Sequence, residues 1–231
     1  HVQFTNYGNF LACHPPKHEV RLKNAYAEGT AWSCSHGTGR WSRDCGCSSG
    51  GREGWNQAWR TPLREAMELI RDHAEAAWDA LAPGYFRDSW AARWELPRMR
   101  HSLTERAEFI HEHVRPGHSQ VARSSLLRLA ELLRMGQFSL TSCGWFFDDI
   151  SGLEPVQNMR YACRVCELLV ELGEQSPEAE ILAILAEARS NVDDRSGDWI
   201  WNHWVKPHVD PIRKVAARAV LHHQMHGEVP R

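Results

Sequence analysis

Between Trp32 and Arg60 the chain reads WSCSHGTGRWSRDCGCSSGGREGWNQAWR. Cys34, His36, Cys45 and Cys47 are sulfur and nitrogen donors of the kind that hold zinc or iron. Their spacing weighs against a metal, because each pair is separated by one residue where structural zinc sites usually leave about two to four. A structural metal-binding domain using these four residues therefore stands as the alternative reading, and the leading reading expects no cofactor. Cys143, in TSCGWFF, is a further thiol that folding could bring nearby. Cys163 and Cys166 form C-x-x-C inside a helical period. A redox pair of this kind belongs at a helix N-terminus, where the thiolate is stabilised, so these two read as buried small apolar side chains.

Asp148 and Asp149, in GWFFDDISG, invite an acid/base reading. Adjacent residues do not face one another on a helix or strand, so a cap or an arginine pair is the simpler role. The histidines are scattered along helical stretches, and HHQMH, from His222 to His226, reads as a solvated end. No nucleophile elbow, phosphate loop or H-E-x-x-H occurs. Tryptophan is the compositional anomaly, with eleven in 231 residues. Its flat face suits both a core and the C–H face of a sugar.

The elements that must hold these residues fall into two regimes. Residues 1–60 are rich in Gly, Pro, Ser, Cys and His, with no helical period, and HPPKHEV is turn-like because a residue before proline leaves the helical region. Residues 61–231 read as helices. Thr61 and Pro62 suit an N-cap and a first helical position, ahead of a stripe through Leu63, Met67, Ile70, Ala74, Ala77, Trp78 and Leu81. Pro83 and Gly84 are expected to end that helix. A second helix starts near Asp88 and carries Trp90 and Trp94, and Ser102 with Glu105 has capping-box spacing. Ala122, Leu126, Leu129, Ala130 and Leu133 mark a further helix that Gly136 can close. Ser151 and Glu154 repeat the capping-box spacing before a helix with stripe Met159, Ala162, Cys163, Cys166, Leu169 and Val170. Ser176 and Pro177 open another, and WIWNHWVKPHVDPIRKVAARAVLHHQM gives one or two more. The expected fold is mainly α, a helical bundle preceded by a long irregular Gly/Trp/Cys-rich loop module.

Formal net charge is -2 with 27 basic and 29 acidic residues, which offers no electrostatic footprint for nucleic acid. No apolar run approaches the ~20 residues of a membrane span, and no signal-peptide pattern is present. Seven cysteines, an odd number, fit reduced thiols and a cytoplasmic setting. The chain begins at His1 in mid-phrase, as a fragment would.

Three stretches carry a resemblance. TAWSCSHGTGRWSRDCGCSSGGREGWNQAWRTPLREA, TSCGWFFDDISGLEPVQNMRYACR, and ARSNV followed by WVKPHVDPIRKVAARAVL are similar to the C-terminal domain of unknown function in bacterial glycoside hydrolase family 57-type proteins, described as α-amylase/α-mannosidase-like. FLACHPPKHEV resembles the segment joining barrel to helices in those proteins. The resemblance implies a parent that acts on α-glucans with retention, through two carboxyl groups ~5 Å apart supplied by an N-terminal barrel. No residue of this sequence matches either group, so the isolated chain is expected to be catalytically silent. The loop module would then dock on the barrel and line a cleft for an α-glucan or other oligosaccharide. Trp32, His36, Trp41, Asp44, Trp55, Asn56 and Trp59 are the candidate sugar-contacting residues, with Trp145 and Asp148 behind them. A purely structural or interaction module is the third reading, and an apolar face left without the barrel would favour self-association.

Overall fold

A computed structural model describes residues 2, 4–23, 29–100, 102–117 and 120–209. Among these residues the regular structure is helical, with no strand. The short helix α1 (Tyr7–Cys13) buries none of its side chains. An irregular stretch, broken by a 3-10 turn at Gly39–Trp41, leads to the longest helix, α2 (Arg60–Tyr85). Then come α3 (Ser89–Glu95), α4 (Leu103–His113), α5 (Gln120–Phe138), α6 (Leu153–Glu171), α7 (Glu178–Leu185) and α8 (Gly197–Ile200). Three-ten turns at Leu96–Arg100, Ser142–Trp145 and Lys206–Val209, and a π turn at Trp201–Val205, complete the order.

The core lies where α2, α5 and α6 pack together, with α7 closing against α2. The apolar stripe of α2 supplies Leu63, Met67, Ile70, Ala74 and Trp78, all essentially without exposure. α6 adds Met159, Ala162, Cys163, Cys166 and Leu169. Burying a large apolar side chain is worth roughly 1.5–3 kcal/mol, and this face of α2 alone carries several. Where α2 and α5 cross, a Cβ on Gly136 would sit 3.0 Å from the Cβ of Ala74. Gly136 is therefore a contact residue inside α5, which runs on to Phe138, and does not close the helix.

Other expectations shift in the same local way. α2 starts at Arg60, one residue before the expected Thr61 cap, because the amide of Arg60 already donates to Gln57 O at 3.1 Å and carries the turn into the helix. It also runs through Pro83 to Tyr85. The Asp88 and Ser102 caps form as read, with Asp88 accepting from Trp90 and Ala91 and Ser102 from Glu105. Ser151 does not cap α6: its amide and hydroxyl both turn to Asp149, and Gly152 takes the cap position without a side-chain bond. Val170 is 62% exposed, at the edge of the α6 stripe. Ala122 and HHQMH fall outside the described side chains.

Candidate functional site

The irregular stretch before α2 is docked on the helical body by two arginines that the sequence reading passed over. Arg60, at 0% exposure, donates to Cys47 O at 2.7 Å and to Phe147 O at 3.2 Å. Arg40, at 2%, donates to Phe146 O and Ser49 Oγ, each at 2.7 Å, and to Ser48 O at 3.1 Å. Each guanidinium fan thus ties one strand of the loop to the segment 146–147. Such bonds to a charged donor are among the stronger ones in proteins. Nothing in a linear reading marks an arginine as buried, since that depends on carbonyls about 90–100 residues away finding its N–H groups.

Asp148 and Asp149 face opposite ways, as adjacent residues must. Asp148 accepts two bonds from the Ser49 amide at 2.9 Å and lies 3.7 Å from Arg60. Asp149 accepts from Ser190 Oγ at 3.0 and 3.1 Å, from the Asn191 amide and from Ser151. Asn191 returns to the loop, donating to Asn56 O and Asp148 O, each at 2.8 Å. The loop, the GWFFDDISG stretch and the ARSNV stretch therefore meet around one pair of carboxylates. Their oxygens are occupied and both residues are 8% exposed, which fits an architectural role and leaves no face open for acid/base work.

At the outer edge of the docked loop, the structure brings Cys34, His36, Cys45 and Cys47 together, with one ligand atom of each within 4.8 Å of the others. Cys34 and Cys45 sulfurs are 3.7 Å apart, and Cys47 Sγ is 3.4 Å from His36 Nδ1. All are free thiols. The single-residue gaps that weighed against a metal are compatible with this geometry. Cys34 and His36 lie at the start of a turn, and Gly46, at φ +76°, lets the backbone between Cys45 and Cys47 bend where a side chain would be strained. The thiols are unequal. A hydrogen bond with His36, reinforced by the Ser35 amide, lowers Cys47 to about 6, while burial raises Cys45. The half-buried Cys47 is thus the more acidic of the two. These four residues could hold a metal ion such as zinc.

Beside them lies a cleft of about 330 Å³ lined by Trp32, Trp41, Phe146, Phe147, Cys143 and Glu154. Trp32 is 90% exposed, with its ring 5.9 Å from that of Phe146. Trp41 is half-buried and donates its indole N–H to Ser142 O at 3.1 Å, which leaves its face for contact. Phe146 and Phe147 are not marked as site residues by the sequence, although the three aromatics of GWFF are the available signal, and Glu154 is marked there only as a capping residue. The remaining candidates are placed differently. Asp44 is exposed and accepts from the Gly46 amide, Asn56 is exposed, and Trp55 is half-buried under Arg52. Trp59 and Trp145 are fully buried, Trp145 donating to Arg60 O at 3.1 Å, so the core covers both rings and neither face is open to a sugar. Asp148 is withdrawn from ligand contact in the same way. Cys143 stands exposed on the cleft and is not among the four clustered ligands. Cys163 and Cys166 are buried in α6, and burial pushes each thiol up to about 12.

These features define a helical domain that carries a docked, cysteine-rich loop. A family model described as a domain of unknown function (DUF3536) matches residues 55–230, and the chain belongs to that family. The Cys/His cluster lies ahead of the matched residues. No curated protein and no solved structure matches the chain.

Proposed function

We propose that this chain is the helical C-terminal domain of a glycoside hydrolase family 57-like protein acting on α-glucans, and that its loop module shapes part of a carbohydrate cleft. The observation that carries the reading is the aromatic cleft, where Trp32 stands almost fully in solvent beside Trp41, Phe146 and Phe147. A large apolar ring held in water at the mouth of a concave surface is costly unless a ligand or partner covers it. Sugar rings present C–H faces that such side chains stack, and Glu154 at the rim offers acceptors for hydroxyl groups. The resemblance of the loop, TSCGWFFDDISG and ARSNV stretches supports the same assignment. The resemblance assigns the hydrolytic carboxyl pair to a barrel of the parent protein, and Asp148 and Asp149 are committed to structure here. That barrel is also the natural cover for the loop face. A cytoplasmic setting, in which the thiols stay reduced, fits this reading. No described helix is long and apolar enough to cross a membrane.

Titration calorimetry with maltooligosaccharides tests it. Binding in the millimolar range or tighter is expected, weakened at least ~10-fold by Trp32→Ala, since one stacking ring is worth about 1.4 kcal/mol or more. Trp90→Ala, an exposed tryptophan on the opposite regime of the chain, should leave it unchanged. Equal binding by Trp32→Ala, or no binding at all, would remove the carbohydrate reading.

A further inference from the structure

We propose that Cys34, His36, Cys45 and Cys47 form a structural zinc centre that staples the loop module into its docked shape. This goes beyond the carbohydrate reading and stands without it.

Geometry comes first. With zinc–sulfur distances of about 2.3 Å and zinc–nitrogen distances of about 2.05 Å, a tetrahedral ion places its sulfurs roughly 3.8 Å apart and a sulfur and a nitrogen roughly 3.6 Å apart. Cys34 Sγ to Cys45 Sγ is 3.7 Å, and Cys47 Sγ to His36 Nδ1 is 3.4 Å. Both edges match, and the two edges bring one donor from each of the four residues into a single cluster. A bonded disulfide would need sulfurs about 2.05 Å apart, so Cys34 and Cys45 are not bridged, and the remaining edges of the cluster, none above 4.8 Å, would close by about 1 Å or less around an ion. Three sulfurs and one imidazole make up a closed tetrahedral set of the structural type, with soft donors that select zinc over magnesium or calcium.

Charge is the second, independent observation. Arg40 and Arg60 are both buried beside this loop, and Asp148 pairs with Arg60 alone. Among the described residues no carboxylate pairs with Arg40, whose two Nη groups donate to neutral oxygens while its buried Nε has no partner. Zinc bound by three thiolates and a neutral imidazole carries a net charge of -1, which suits a site whose buried neighbours include two guanidinium groups. Arg60 also donates to the carbonyl of Cys47 itself at 2.7 Å, a contact that fixes a ligand residue from outside the coordination sphere.

The loop also needs a staple. Among the described residues 29–60, its backbone-to-backbone bonds are the turn around Gly39–Trp41, turns at Arg52–Trp55 and Gln57–Arg60, and an isolated bridge between Ala31 and Cys34. The side-chain bonds of Arg40, Arg60, Asp148 and Asn191 dock the segment, and a metal would add the cross-link between residues 34–36 and 45–47 that they do not make. On binding, the thiols lose their protons to solvent and no electrons move.

Elemental analysis of the reduced full chain, purified without chelator, reads the centre directly. About one zinc per chain is expected, falling to near zero in Cys45→Ser and unaffected in Cys143→Ser, whose thiol is exposed and outside the cluster. Cobalt(II) loading keeps the test decisive where Cys45→Ser fails to fold. The chain should give the intense visible bands of tetrahedral cobalt with sulfur-to-metal charge transfer, weakened in His36→Ala, a change at an exposed residue. A reduced protein that binds neither zinc nor cobalt, or a His36→Ala and Cys45→Ser pair that bind both as the parent does, would overturn the centre. Neither measurement involves a sugar, so its failure is separate from that of the carbohydrate cleft.

Discussion

Cys47 sits at the outer edge of the loop with its sulfur 3.4 Å from an imidazole nitrogen, whereas Cys163 and Cys166 face the interior of α6. The same side chain is therefore reactive in one place and inert in the other. Only the thiolate is nucleophilic, and Cys47 ionises at about 6 while the two α6 thiols stay protonated to about 12. In reduced, metal-free protein, iodoacetamide at about pH 7 is expected to modify Cys47 first and to leave Cys163 and Cys166 untouched. The rate should level off above pH 7, because the thiolate is already formed, while an ordinary thiol keeps accelerating toward about pH 9. The sign for stability follows. A folded pKa below the unfolded one favours the fold at high pH, and that contribution is lost as pH falls through about 6. Peptide mapping by mass spectrometry checks the order of modification, and early labelling of Cys163 would contradict the packing of α6.

At the scale of elements, the three-ten turn at Ser142–Trp145 and helix α6 are locked through one glycine. A Cβ on Gly144 would lie 2.4 Å from Asn158 Nδ2. Asn158 is buried and cannot move aside freely, because its Nδ2 donates to Thr141 O and its Oδ1 accepts from Thr141 Oγ1, each at 2.9 Å. Gly144→Ala should therefore cost about 1–3 kcal/mol through overpacking. Gly84→Ala, where a Cβ meets nothing within 4 Å inside α2, should instead be neutral or stabilising by up to ~1 kcal/mol. Urea denaturation midpoints for the two variants test this, and equal midpoints would show that the turn is not fixed against Asn158.

For the whole molecule, stability is unevenly distributed. Residues 4–23 bury nothing, while α2 and α6 hold the core together with the buried Trp59, Trp78 and Trp145. Local opening tracks the loss of buried apolar contacts. Trypsin should cut at the exposed Lys17, Arg21 and Lys23 before any site within α2 or α6, leaving a resistant fragment that contains 60–200. N-terminal sequencing of the first products decides it, and an initial cut at Arg164 in α6 would contradict the core described above.

Periodicity alone located α2, α5 and α6 and the buried role of Cys163 and Cys166, because a helix face and its apolar stripe are properties of neighbouring residues. It also located the Asp88 and Ser102 caps, whose bonds span three residues or fewer. Local rules failed where a distant partner competed. Ser151 gave up its cap to Asp149, and Gly136 served the close approach of Ala74 instead of a helix end. The composition of the loop identified four metal-type donors, but whether single-residue spacing allows one centre depended on how the chain bends at Gly46 and on which segment Arg40 and Arg60 bind. Those guanidinium bonds join residues about 90–100 positions apart, and the same docking determined that Trp59 and Trp145 enter the core while Trp32 stays in solvent. Residue chemistry and helical pattern are written locally. Burial and the convergence of the three motif stretches on Asp148 and Asp149 arise only once the chain has closed on itself.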